Sequence, residues 1–173
     1  MRSAIVRTLP LAALLVGSLA ACGHDPAAPA PFRVPSGATA IPTQPLAEAI
    51  APQGYGSTFT TRQRIVVRNA AAWAALWPRL VGNQTPVPPV PAVDFSRSMI
   101  ILAAMGTKPS SGYAITIDAV FQSGGTTYAG VRETSPANDC LVLTVITSPI
   151  DAVLVPRSDA PVIFRERAET HHC

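Results

Sequence analysis

Charge, aromatic side chains and the residues that most often do chemistry are all scarce in this chain. Of 173 residues, 13% are charged and 6% aromatic, with three histidines and three cysteines. No stretch forms the basic stripe that nucleic-acid binding needs, so no nucleic-acid partner is expected. No polybasic patch marks binding to anionic lipid. No apolar run reaches the roughly 20 residues of a membrane-spanning helix. His24, His171 and His172 sit near the two ends, leaving no base to activate a nucleophile inside a core. There is no nucleophile elbow, phosphate loop, zinc-protease helix or dinucleotide fingerprint. The expectation is a protein that is not an enzyme and uses no cofactor.

What is present begins with an export signal over residues 1–21. Arg2 and Arg7 supply a positive start, Leu9 to Val16 is apolar apart from Pro10, and the small-residue run Gly17 to Ala21 precedes Cys22. Leu19-Ala20-Ala21-Cys22 resembles a bacterial lipobox, whose cysteine becomes the acylated first residue of the mature protein. The expectation is therefore a lipoprotein held to a membrane by its acyl chains, more than one being needed for a stable hold. That places it in the cell envelope, facing away from the cytoplasm. Gly23 is not the aspartate that retains many such proteins at an inner membrane, so an outer membrane is favoured where there is one. The chain has 13 basic and 10 acidic residues; without Arg2 and Arg7 the count is 11 against 10, nearly neutral.

Residues 22–44 read as a tether. Pro26, Pro29, Pro31 and Pro35 alternate with alanines, and Pro42 follows. Such a segment buries too little apolar surface to offset its ordering entropy and is expected to act as a semi-extended spacer. Residues 45–173 then form one domain. With Cys22 lipidated, Cys140 and Cys173 remain as one pair available for a disulfide in an oxidising compartment. The alternatives are free thiols, or a metal cluster of His171, His172 and Cys173, whose adjacency makes convergence on one ion difficult.

Within the domain one segment reads as a helix, Ala70 to Val81. Asn69 is a good N-cap, and Trp73, Leu76, Trp77 and Leu80 fall at i, i+3, i+4 and i+7 on one core-facing stripe. Pro78 is expected to kink or end it near Trp77. The remainder is β-rich. Candidate strands are Ala47–Ile50, Gly56–Thr60, Arg64–Arg68, Met99–Ala104, Tyr113–Phe121, Thr126–Glu133, Leu141–Thr147, Ala152–Val155 and Pro161–Arg165. In the fifth, Tyr113, Ile115, Ile117, Ala119 and Phe121 share one face, and Ser123-Gly124-Gly125 turns it into the sixth. The fold expected is mainly β (α+β), an antiparallel β-sandwich or open barrel with one amphipathic helix.

The most distinctive loop is Lys108-Pro109-Ser110-Ser111-Gly112-Tyr113. Proline fixes one φ, glycine permits a positive φ, and the serines can bond local backbone. A stiff polar loop at a sheet end suits recognition of a protein partner, and equally suits a plain interstrand turn. Asp94 and Phe95 are expected as its structural neighbours. The acids Asp94, Asp118, Glu133, Asp139, Asp151 and Asp159 are left as the residual candidates for paired-carboxylate chemistry.

In their order and spacing these residues resemble the C-terminal domain of the PrcB family of protease-complex subunits. The likeness runs from Ile65-Val66-Val67, through Trp73, Leu76-Trp77, Val93-Asp94-Phe95-Ser96 and Met99–Leu102. It continues through Lys108 to Tyr113, Ile115 and Ile117, then Thr147-Ser148-Pro149, to the strand Pro161 to Phe164. Ser110-Ser111 stand where the family more often shows Thr-Gly. The resemblance implies an envelope lipoprotein that accompanies or stabilises a secreted protease without catalysis of its own. A second likeness, of Pro109 to Tyr113 to the loop of chagasin-type cysteine protease inhibitors, implies direct inhibition as the alternative.

Overall fold

The computed structural model describes residues 32–46, 50, 56–82 and 84–173. The signal segment, Cys22 and the first part of the tether lie outside the described residues, as do residues 47–49 of the first candidate strand. Eight strands and one helix are described: β1 (Thr39–Ile41), β2 (Gln44–Pro45), β3 (Gln63–Val67), α1 (Ala70–Val81), β4 (Ser98–Ala104), β5 (Ala114–Ser123), β6 (Thr126–Pro136), β7 (Ile150–Pro156) and β8 (Val162–His171). They form two four-stranded sheets, β1-β5-β6-β8 and β2-β7-β4-β3. The sheets stack as an open sandwich, and α1 covers the outer face of the second.

The organising element is β4. It pairs on one side with β3 and on the other with β7, both antiparallel. Its alternate residues serve two cores. Ile100, Leu102 and Ala104 face α1, meeting Trp73, Trp77, Leu80 and Val81. Met99, Ile101 and Ala103 face the other sheet, meeting Ile117, Val120, Ala129 and Val131. All six are fully buried. A strand buried on both faces needs an unbroken apolar run rather than alternation, which is why this segment reads as it does.

The helix forms where its spacing predicts. The Asn69 side chain accepts from the Ala72 amide at 2.8 Å, and the indole N–H groups of Trp73 and Trp77 donate to the carbonyls of Pro91 and Pro88. That proline-rich loop has few amides of its own, so its carbonyls are free to accept. Pro78 does not end the helix. One further turn follows, because Leu80 and Val81 are fully buried and the Gly82 amide bonds the Pro78 carbonyl.

Four other expectations change. Gly56–Thr60 is not a strand: the Thr58 amide bonds Arg79 O at the helix end and the Ser57 hydroxyl bonds Ser148 O, while Phe59 is buried beneath the Arg79 guanidinium. The alternation in β5 breaks at a bulge between Ile117 and Ala119. Beyond it Val120 takes the inward face, and Phe121 stacks on Tyr128 instead. The sandwich is not wholly antiparallel, since β8 runs parallel to β6 over ten residue pairs. The spacer expected through residue 44 stops earlier: β1 pairs with β5 and β2 with β7, so residues 39–45 edge both sheets. Phe32 belongs to this belt. Its ring lies so close to Gly130 that a Cβ there would sit 2.6 Å from it, and the Arg167 guanidinium stands 5.0 Å from the ring centroid. A glycine inside a strand marks such a close approach.

Candidate functional site

The loop singled out from sequence leaves the buried end of β4, and a second loop, between β6 and β7, comes to the same end of the sandwich. The two are stitched together. Lys108 and Thr147 exchange both backbone hydrogen bonds, at 2.8 and 3.0 Å. The Ser111 amide donates to Leu143 O, and the Leu143 amide donates back to the Ser111 hydroxyl at 2.9 Å. The Thr147 hydroxyl donates to Ser110 O. Gly112 has φ +88°, and a Cβ there would meet Pro136 at 3.0 Å and Val142 at 3.2 Å. The Lys108 ammonium lies 5.5 Å over the Tyr113 ring. Most of the polar capacity of this loop is thus spent inside the molecule, in holding its neighbour. Only Pro109 and Gly112 of the six residues are exposed.

The neighbour is the segment expected to be the strand Leu141–Thr147, and it is not one. It is an exposed apolar knuckle: Leu141 is 100%, Ile146 73%, Leu143 71% and Val145 47% exposed. The Val145 amide bonds back to Leu143 O, a tight turn centred on Thr144 that breaks any ladder. Among the described residues it pairs with no strand of either sheet, and both sides of β4 are taken by β3 and β7. One end is fixed by the Cys140–Cys173 disulfide, with Cα atoms 4.9 Å apart. The other is fixed by the Lys108–Thr147 bridge. His171 joins the two cysteines in a group whose candidate ligand atoms lie within 4.8 Å of one another. The sulfurs are committed to each other, so this is a covalent staple flanked by an imidazole rather than an ion cage.

The six acids considered for catalysis each have a structural duty. Asp94 accepts from the amide and hydroxyl of Ser96, which hold its carboxyl below the usual range, and it opens the turn into β4. It and Phe95 therefore sit at the Ser98 end of β4, the whole strand away from Lys108, rather than beside the loop. Asp118 pairs with Arg132 and Arg167, Asp139 with His172, and Asp159 with Arg157. Glu133 and Glu166, one from each of two strands of the first sheet, clasp Arg64 of β3 at 2.6 and 2.7 Å, with Arg62 outside them. Burial opposes ionisation of Glu166, but the hydrogen bonds and charges of Arg64 and Arg62 outweigh it and hold the carboxyl below its usual range. This network closes one open side of the sandwich.

Asp151 closes the other. β1 pairs only with Val120 to Gln122, and the Asp151 carboxylate accepts from the Ile117 amide at 2.7 Å, joining β7 to β5. Burial raises its pKa, the Ile117 and Ala152 amides pull against that, and the nearby charge of Asp118 adds to the rise. A perturbed carboxyl can mark a reactive group. Here it is spent on a backbone amide between two sheets.

Sequence reasoning singled out the loop and left Cys140 and Cys173 as one available pair beside other options, and it missed the knuckle. The signal for it was present, in the closeness of Cys140 and Pro149 on either side of an uncharged run too short to hold two turns and a paired strand. Residues 99–156, from β4 to the end of β7, match the family model described as PrcB C-terminal. This span contains both stitched loops. No curated protein and no solved structure matches the chain.

Proposed function

We propose that this chain, whose residues 99–156 match the family model described as PrcB C-terminal, is a lipid-anchored accessory subunit of a secreted protease complex, binding a protein partner without catalysis. The family match over the stitched segment is the observation that carries this reading. Acyl chains on Cys22 tether it in the cell envelope, outside the cytoplasm, at the outer membrane where the cell has two. The partner is held at the rim formed by Lys108, Pro109 and Ser110, where the polypeptide is already fixed and little entropy is lost on binding. Ser111, Gly112 and Tyr113 set that rim in place. The rival reading, an inhibitor that drives Lys108 to Tyr113 into a protease cleft, draws no support from a loop whose serines are bonded to residues 143 and 147.

The test is crosslinked co-purification of the tagged lipoprotein from its native envelope, with and without Lys108→Glu. A protease recovered in stoichiometric amount, and lost on charge reversal without a change in melting temperature, supports the reading. Recovery of other lipoproteins and cell-wall material alone would refute it. The mass of the mature N-terminal peptide tests the anchor separately, since unmodified Cys22 would remove it.

A further inference from the structure

We propose that the Leu141–Ile146 knuckle is a membrane-contacting element that inserts its side chains into the bilayer surface. Four observations converge. Leu141, Leu143, Val145 and Ile146 are exposed together, and no charged residue occurs between Cys140 and Asp151. The exposure is built in: the disulfide at Cys140, the Ser111 bonds at Leu143 and the bridge at Thr147 prevent the loop from folding back onto the domain. The patch is also small. Four side chains at roughly 100 Å² each supply about half of the ~800 Å² per partner that a specific protein interface buries, so a second copy is a poor occupant. A bilayer needs no complementary surface, and each methylene that enters it counts.

The fourth observation is reach. Cys22 and Phe32 are ten residues apart in sequence, a span of at most about 36 Å, and Phe32 is packed on the sheet. A domain of this size has a radius of gyration of about 15 Å. Any face of it can therefore touch the membrane that holds Cys22. For its biological setting this rests on the lipid-anchored reading above, but its physical test does not need the anchor.

All described elements and both cores lie within Pro31–Cys173, a compact unit, so that segment can be tested without its lipid. The probe is flotation with vesicles of three parts phosphatidylethanolamine to one part phosphatidylglycerol, at millimolar lipid. Wild type is expected to float, and Leu143→Asp/Ile146→Asp to lose at least about tenfold in bound fraction with its melting temperature unchanged. Binding should survive molar salt, because burial of apolar surface is not screened. In molar salt Lys108→Glu should alter it less than about twofold. A wild type that does not float, a double variant that floats equally, or binding that salt abolishes would each overturn the proposal. If the double variant instead loses partner capture while wild type ignores vesicles, the knuckle is a protein surface. Flotation intact with Cys22 unmodified would sink the anchor and leave this inference standing.

Discussion

Met99–Ala104 and Leu141–Ile146 are two apolar runs of the same length class in one chain, and they meet opposite fates. The first is buried on both faces at the centre of the molecule, while the second stands in solvent. Composition does not separate them; partners do. β4 has a strand on each side and a core above and below. The knuckle has a disulfide at one end, a hydroxyl and a backbone bridge below it, and nothing over it among the described residues. The lesson is that an apolar segment in a small β-domain is a strand only if it finds a ladder partner.

Substitutions can break that contrast, beginning with the largest effect. Leu102→Ala should cost about 2–5 kcal/mol in urea unfolding, through lost transfer energy and the cavity left between α1 and β4. Leu143→Ala should stay within about 0.5 kcal/mol, since its side chain is already in water. Equal losses would mean that the knuckle is covered. Next comes the staple. Cys140→Ser/Cys173→Ser removes a closure of 33 residues and should cost about 3.7 kcal/mol by loop entropy. Proteolysis should then cut first between residues 140 and 147, and cleavage elsewhere would contradict the pinning role.

The salt bridges between the sheets sharpen the comparison within polar groups. Arg64→Ala leaves Glu133 and Glu166 without their half-buried partner and should cost roughly 2 kcal/mol. Arg62→Ala, at a side chain 53% exposed, should be close to neutral in the same denaturation curves. The smallest effect is a slope. The Asp151 pKa is raised on folding, so the stability it contributes is present below the ordinary carboxylate range and is lost as pH rises through the raised value. Asp151→Asn keeps an acceptor for the Ile117 amide and cannot ionise. Its stability relative to wild type should therefore increase between pH 3.5 and pH 7. A difference independent of pH would show that the carboxyl is not held above its usual range.

Much of this was legible in the sequence. The helix, its cap and its stripe follow from Asn69 and the tryptophan spacing, and β4 from its apolar run. The β5–β6 hairpin follows from Gly124-Gly125. What sequence could not supply was non-local. The bulge at Ile117 depends on a carboxylate 34 residues away, and the parallel course of β8 depends on β7 being taken by the other sheet. The helix runs past Pro78 because the core beyond it rewards one more turn. The loop at Lys108 was located, and its Ser110 hydroxyl does bond local backbone at Ser111 O, but the Ser111 hydroxyl and the Ser110 carbonyl meet partners over thirty residues further on.

The most direct test places a photoreactive amino acid at position 143 of the full chain in its native envelope. Phospholipid adducts, with none to the chain's own residues, are what an exposed membrane-contacting knuckle predicts. Adducts confined to protein, whether this chain or another, would contradict it.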